Sequence, residues 1–197
     1  LARMETPGIT VRPIKTLAGD AEFCEVFLDD VRVPRDNIVG AVNDGWTMAK
    51  ALLGFERLTH GSPKFAQMAL LRLETMGREL GIFDDPSFAA TYTQLALDVA
   101  DLTATYARFA ETLKGGGALG PEISILKLWG PDLYQRISEF MLDVAQENGS
   151  ALGPTRFGGA EVDPLGYYFL SRPTTIYGGA SEIQRNILAK TLLGVPG

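Results

Sequence analysis

A mostly α chain, an antiparallel four-helix bundle preceded by a small β segment, is what this sequence predicts, and three observations carry that prediction. Residues 9 to 39 are rich in Phe and Val with an apolar period near two. From "NDGW" (43–46) onward the apolar period becomes helical. Proline and glycine signals then cut the helical part into four long stretches joined by short turns, the pattern of a bundle. The sequence thus divides into a β portion over 1–40 and a helical domain over 41–197.

In the β portion, "GITVRPI" places Ile9 and Val11 on one side of a strand, and "AEFCEVFLDDVRVP" continues the alternation. Ala18-Gly19-Asp20 separates the strands, Asp29-Asp30 makes a second bend, and Pro34 with "RDNIVG" closes the region, giving two or three strands. The chain opens at Leu1 and runs straight into "ARMETPGITVRPI", which reads as a strand entered in mid-protein and suggests a missing N-terminal portion.

The first helical stretch spans about 45 to 80 with a kink or loosened turn expected near Gly61-Ser62-Pro63, where proline cannot donate to the helix ladder and glycine adds backbone entropy. A second opens at Asp85-Pro86, a cap followed by proline at the first helical position, and stops at Gly115-Gly116-Gly117. Between these, Phe88, Tyr92, Leu95, Val99, Leu102, Tyr106, Phe109 and Leu113 recur in alternating steps of four and three, a seam that reads as core. The third stretch opens at Gly120-Pro121-Glu122, carries Ile123, Leu126, Trp129, Leu133, Ile137, Phe140 and Val144, and ends near Asn148-Gly149. A turn-rich stretch over 150–175 precedes the fourth helix, from about Ser181 to Leu193. Trp46 and Trp129 read as core or interface aromatics.

Composition narrows the function classes. The 197 residues carry 24 acidic and 18 basic side chains, a formal charge of −6 without a basic cluster, which argues against a nucleic-acid partner. A single cysteine, Cys24, rules out an internal disulfide and fits a reducing cytoplasm, and with one histidine it leaves no zinc or haem set. Apolar runs are broken by charge well before the roughly 18 residues a membrane span requires.

One motif invites chemistry. In "IYGGASEIQRNIL" (176–188) two glycines precede a helix start at Ala180 or Ser181, so bare backbone and free helix amides could meet a carbonyl or an anionic ring. A plain Ser-capped loop is the alternative.

Together "AEFCEVFLDDVRVPRDNIVG", "DGWTMAKALLGFERL" and "IYGGASEIQRNILAKTLLG" resemble, in order and over nearly the whole chain, the C-terminal half of the FAD-dependent acyl-CoA dehydrogenases. The resemblance implies the end of a middle β domain plus a C-terminal four-helix bundle. It also implies α,β-dehydrogenation of an acyl-CoA thioester, in which a glutamate removes the α-proton and the β-hydride passes to FAD. In many members that glutamate follows the Ile-Tyr pair, where this chain has Gly178. The chain is similar instead to the branch of isovaleryl- and long-chain acyl-CoA dehydrogenases, whose base lies in a Glu-Arg pair on the first bundle helix. That makes Glu56 of "GFERL" the catalytic base, with Arg57 either orienting the site or a surface cation.

For the cofactor, the resemblance assigns Gly178, Gly179, Ala180, Ser181 and Glu182 to the flavin and its ribityl or diphosphate part, Ala180 standing where threonine is common. Gln146 matches a glutamine that reaches the adenosine of a neighbouring subunit's FAD, and Arg78 with Gly81 only faintly echoes a diphosphate-binding segment. The implied partners are acyl-CoA, an electron-transfer flavoprotein or similar acceptor, and further subunits in a homo- or hetero-oligomer, dimer or tetramer. A non-catalytic partner subunit of a heteromer is the second reading and a plain helical interaction module the third. His60, four residues after Glu56 on one helix face, reads as structural or solvated and stays outside the predicted site.

Overall fold

The structure, a computed structural model, describes residues 1–195, with the side chains at 51 and 53–57 outside the described set. Two compact units emerge, residues 1–54 and 55–197, the division falling inside the first helix.

In the first unit, β1 (Ile9–Ile14) and β2 (Phe23–Leu28) form an antiparallel hairpin. Its register pairs Ile9 with Leu28, Val11 with Val26 and Ile14 with Phe23. The predicted turn is closed by Thr16 N–H donating to the Asp20 carbonyl at 2.8 Å, with Gly19 at φ +90°. Gly8 before β1 has φ +93°, and a Cβ there would lie 2.1 Å from the Asp29 carbonyl oxygen, so only glycine lets the strand ends close. A single 3₁₀ turn at Arg35–Asn37 follows, so two of the predicted two or three strands form here.

Helix α1 (Gly45–His60) carries Glu56 and Arg57 within its bounds, but their side chains lie outside the described residues. The interruption predicted at 61–63 is a full break: α2 (Lys64–Glu79) starts afresh after Pro63. Gly130 sits against the Gly61 backbone, where an added Cβ would be 3.5 Å from the Gly61 carbonyl oxygen, so main chain approaches main chain at this crossing.

Helix α3 (Pro86–Lys114) begins as predicted, the Asp85 carboxylate accepting from Ser87 N–H at 2.8 Å, and ends at Gly115. Of its seam, Phe88, Leu95, Val99 and Leu102 are buried, and Tyr92, Tyr106 and Phe109 pack at the margin. Gly77 of α2 makes room for this seam, since a Cβ there would stand 2.5 Å from Phe88 Cζ.

Helix α4 (Ser124–Ala145), entered through a 3₁₀ turn at Pro121–Ile123, is the centre of the domain. Its predicted stripe is buried at Ile123, Leu126, Leu133 and Ile137. Lys127, Tyr134, Ser138 and Met141 are buried as well, because α2, α3, α5 and α6 all pack on it. The helix ends at Ala145, earlier than predicted, and a 3₁₀ segment Gln146–Ser150 carries the chain on.

The stretch over 150–175, read from sequence as turns, holds a second antiparallel hairpin, β3 (Thr155–Phe157) with β4 (Ala160–Val162), and a short helix α5 (Pro164–Ser171). These elements are short, and Phe157 and Val162 are buried through contact with the bundle rather than through any alternation of their own. Helix α6 (Ser181–Leu192) closes the domain. Among the described residues, no helix is long and apolar enough to cross a membrane.

Candidate functional site

The segment leading into α6 is built onto α4 by polar contacts. Lys127 Nζ donates to the Thr174 carbonyl at 2.7 Å, and Gln135 Nε2 donates to the carbonyls of Ser171 and Arg172 at 3.2 and 3.3 Å. Ser138 Oγ meets Ser171 Oγ at 3.0 Å, and Arg172 pairs with Glu139 at 2.8 Å. The end of α5 and the 3₁₀ turn Arg172–Thr175 are thereby held at fixed height on the central helix.

Lys127 is fully buried, and desolvation pushes its ammonium below the usual lysine range. Its Nζ also lies 6.0 Å from the centroid of the Tyr177 ring, and the negative ring face favours the cation. Tyr134, near Tyr167 and Tyr177, has its phenol pushed up, burial being the main cause.

After Tyr177 the chain turns through two left-handed residues, Gly178 at φ +65° and Gly179 at φ +102°. Among the described residues no side chain caps the helix that follows: Ala180 occupies the cap position, and the Ser181 hydroxyl is turned back to donate to the Thr175 carbonyl at 3.3 Å. Thus the Ser-capped loop, the alternative reading of the motif, does not form, and no side chain among the described residues takes the first amides at the positive end of α6. Glu182, in the first turn, is exposed. Gln184 is buried beneath the turn, its Nε2 donating to the Gly179 carbonyl at 3.2 Å while its Oε1 has no hydrogen-bond partner among the described residues.

His60 belongs to this cluster, although sequence reasoning set it aside. Its ring centroid is 4.9 Å from that of Tyr177, tilted by 54°. A Cβ added to Gly178 would fall 2.2 Å from His60 Cδ2. Spacing along one helix could not reveal a partner 118 positions away in the chain.

The predicted residues are therefore split. Gly178 through Glu182 form one turn, while Gln146 stands at the far end of α4, exposed and at φ +50°. It lines a pocket of about 380 Å³ with Asn148, Ser87, Phe88, Phe140 and Phe157. The charged groups lining that pocket are Asp85 and Asp143, which disfavour a phosphate and suit a neutral heterocycle. Arg78, pointed to by the faint diphosphate echo, is paired with Glu74 at 2.6 Å and does not line it.

Comparison with known proteins gives a consistent picture. Residues 43–193 match the family model described as the acyl-CoA dehydrogenase C-terminal domain. The chain is 35% identical over 199 residues to acyl-CoA dehydrogenase IpdE1 of Mycobacterium tuberculosis, covering all of this chain and 50% of that protein. It is 34% identical over 205 residues to acyl-CoA dehydrogenase FadE34 of the same organism, covering all of this chain and 26% of the relative. The chain thus spans about half or less of these relatives. Among solved structures, the Tcur3481-Tcur3483 steroid ACAD superposes with TM-score 0.87 at 17% identity, over 98% of this chain and 50% of that one. Glutaryl-coenzyme A dehydrogenase in its glutaryl-CoA complex gives 0.83 at 20%, over all of this chain and 50% of that one. At these identities the structural likeness speaks for the fold.

Proposed function

Since the chain belongs to the acyl-CoA dehydrogenase family, we propose that it contributes to the FAD-dependent α,β-dehydrogenation of an acyl-CoA thioester, with Glu56 as the base. The observation that carries this reading is the bare-backbone turn at Gly178–Gly179, opening onto an uncapped helix N-terminus within the family's domain.

The residues present fit the cofactor. At Gly178 and Gly179 the space a side chain would take is filled by His60 and Gln184, and what the turn offers a ligand is the start of α6, whose amides favour a group that gains negative charge. Gly178, Gly179, Ala180, Ser181 and Glu182 would hold the flavin portion, and the Gln146 pocket the adenosine of a neighbouring subunit's cofactor. When bound, FAD supplies the two-electron acceptor for the hydride leaving the β-carbon.

The task left to the protein is proton removal. An α-hydrogen is weakly acidic until the thioester carbonyl is polarised, so the site needs a carboxylate within reach of that hydrogen and donors at the carbonyl oxygen. The Glu56 carboxylate takes the α-proton as the C–H electron pair becomes the new C=C bond and the β-hydrogen departs with its own pair. Burial against the acyl chain would raise the carboxylate's proton affinity and suit it to this role. An electron-transfer flavoprotein or similar acceptor would take the electrons onward. The assembly would be a homo- or hetero-oligomer in the cytoplasm.

The test is Glu56→Gln in the complete protein, followed by flavin bleaching on addition of acyl-CoA. We expect a loss of about 100-fold or more in bleaching rate with flavin content unchanged, the range set by a positioned general base. Intact bleaching would remove Glu56 from the role. A wild-type protein that assembles with a homologous chain but carries no flavin would favour the partner-subunit reading.

A further inference from the structure

We infer that His60 is a positioning residue of this site, its ring filling from α1 the volume into which a side chain at position 178 would project. The inference rests on the reading of the Tyr177–Ser181 turn as active-site backbone.

Two separate constraints act on residue 178. Its φ of +65° is a backbone condition that any β-carbon makes costly. The second is steric: a Cβ there would stand 2.2 Å from His60 Cδ2, 2.9 Å from Cγ and 3.0 Å from Nε2. Those are ring atoms rather than the mobile end of a long side chain, so the half-buried ring would have to shift as a whole to admit a Cβ. It lies 4.9 Å from the Tyr177 ring, and Tyr177 is adjacent to the Lys127 ammonium that anchors Thr174. His60 is also the last residue of α1, immediately before the Gly61 backbone that packs on Gly130, so its Cα is fixed by the helix crossing.

The glycine and the histidine therefore specify each other. The imidazole occupies the side-chain direction of residue 178 and walls the turn there, which fixes the course of the main chain leading into α6. Position 178 can supply no functional group of its own, so the acid or base that serves the reaction belongs to another residue.

The two constraints separate in a double-mutant cycle, because the φ cost persists when the ring is removed and the contact cost does not. In the complete flavin-loaded protein, Gly178→Ala should cost about tenfold more in the folding equilibrium with His60 present than in a His60→Ala background. His60→Phe, which keeps a ring, should preserve that difference. Additive costs, or a Gly178→Ala protein that fails to fold in both backgrounds, would overturn the pairing.

Positioning is read separately, in turnover. His60→Ala should lower kcat about tenfold with KM within about threefold and flavin content unchanged, and His60→Phe should recover most of the loss. If the cycle shows coupling while His60→Ala turns over normally, the contact is packing alone and the positioning role falls. Because the cycle reads stability, it stands or fails independently of whether Glu56 is the base.

Discussion

The β1–β2 hairpin and helix α4 are organised by opposite means. In the first unit none of the described residues is buried, and Val11, Val26, Phe23 and Ile14 are all exposed. What defines the hairpin there is backbone: the ladder, the Thr16–Asp20 closure and the glycine that lets the strand ends meet. Helix α4 owes its place to being surrounded, to the point of burying a lysine and two serines along with its apolar residues. The difference shows that secondary structure can be written locally, whereas a side chain's chemical environment is written by the neighbours it meets.

Removing volume from α4 should have the largest effect. Leu133 is fully buried at the centre of the bundle, and Leu133→Ala should cost about 3 kcal/mol, read from chemical denaturation monitored by helix signal. A cost below about 1 kcal/mol would mean that the helix is not the packing centre described.

Lys127→Met sharpens the contrast between polar and apolar burial. Loss of the donor to Thr174 should cost about 1 kcal/mol at neutral pH, because relief from burying an ammonium partly offsets an unpaired carbonyl. Its pH dependence carries a definite sign. The folded lysine titrates below its ordinary value of 10.5, so between the two values the unfolded chain binds more protons, and wild-type stability should rise as pH climbs toward 10.5. In Lys127→Met that contribution should vanish, and an unchanged alkaline slope would assign it to other groups.

The smallest effect belongs to the hairpin. Val26→Ala, at a position 49% exposed, should cost about 0.5 kcal/mol or less, the loss of one cross-strand pair with Val11. A cost comparable to that of Leu133→Ala would erase the distinction between the two regions.

Much of the fold was legible because its signals are local. Asp85-Pro86 starts α3 and the glycine run stops it, Gly19 turns the hairpin, and the heptad seam of α3 faces the core. Where signals were weak, the reading thinned: β3, β4 and α5 are too short to display a period, and their burial comes from the bundle. In the site, the glycine pair was visible as a motif, whereas the bond that turns Ser181 back to Thr175 and away from a capping role was not.

The sequence by itself determined the class of fold, the order of its long helices and the family, since caps, breakers, periodicity and motif order are all properties of neighbouring residues. Only the tertiary structure decided that α4 is enclosed on several sides, that Gln146 opens a pocket apart from the glycine turn, and that His60 closes over Gly178. Those facts depend on atoms brought together across long stretches of chain, and sequence spacing carries no distance between them.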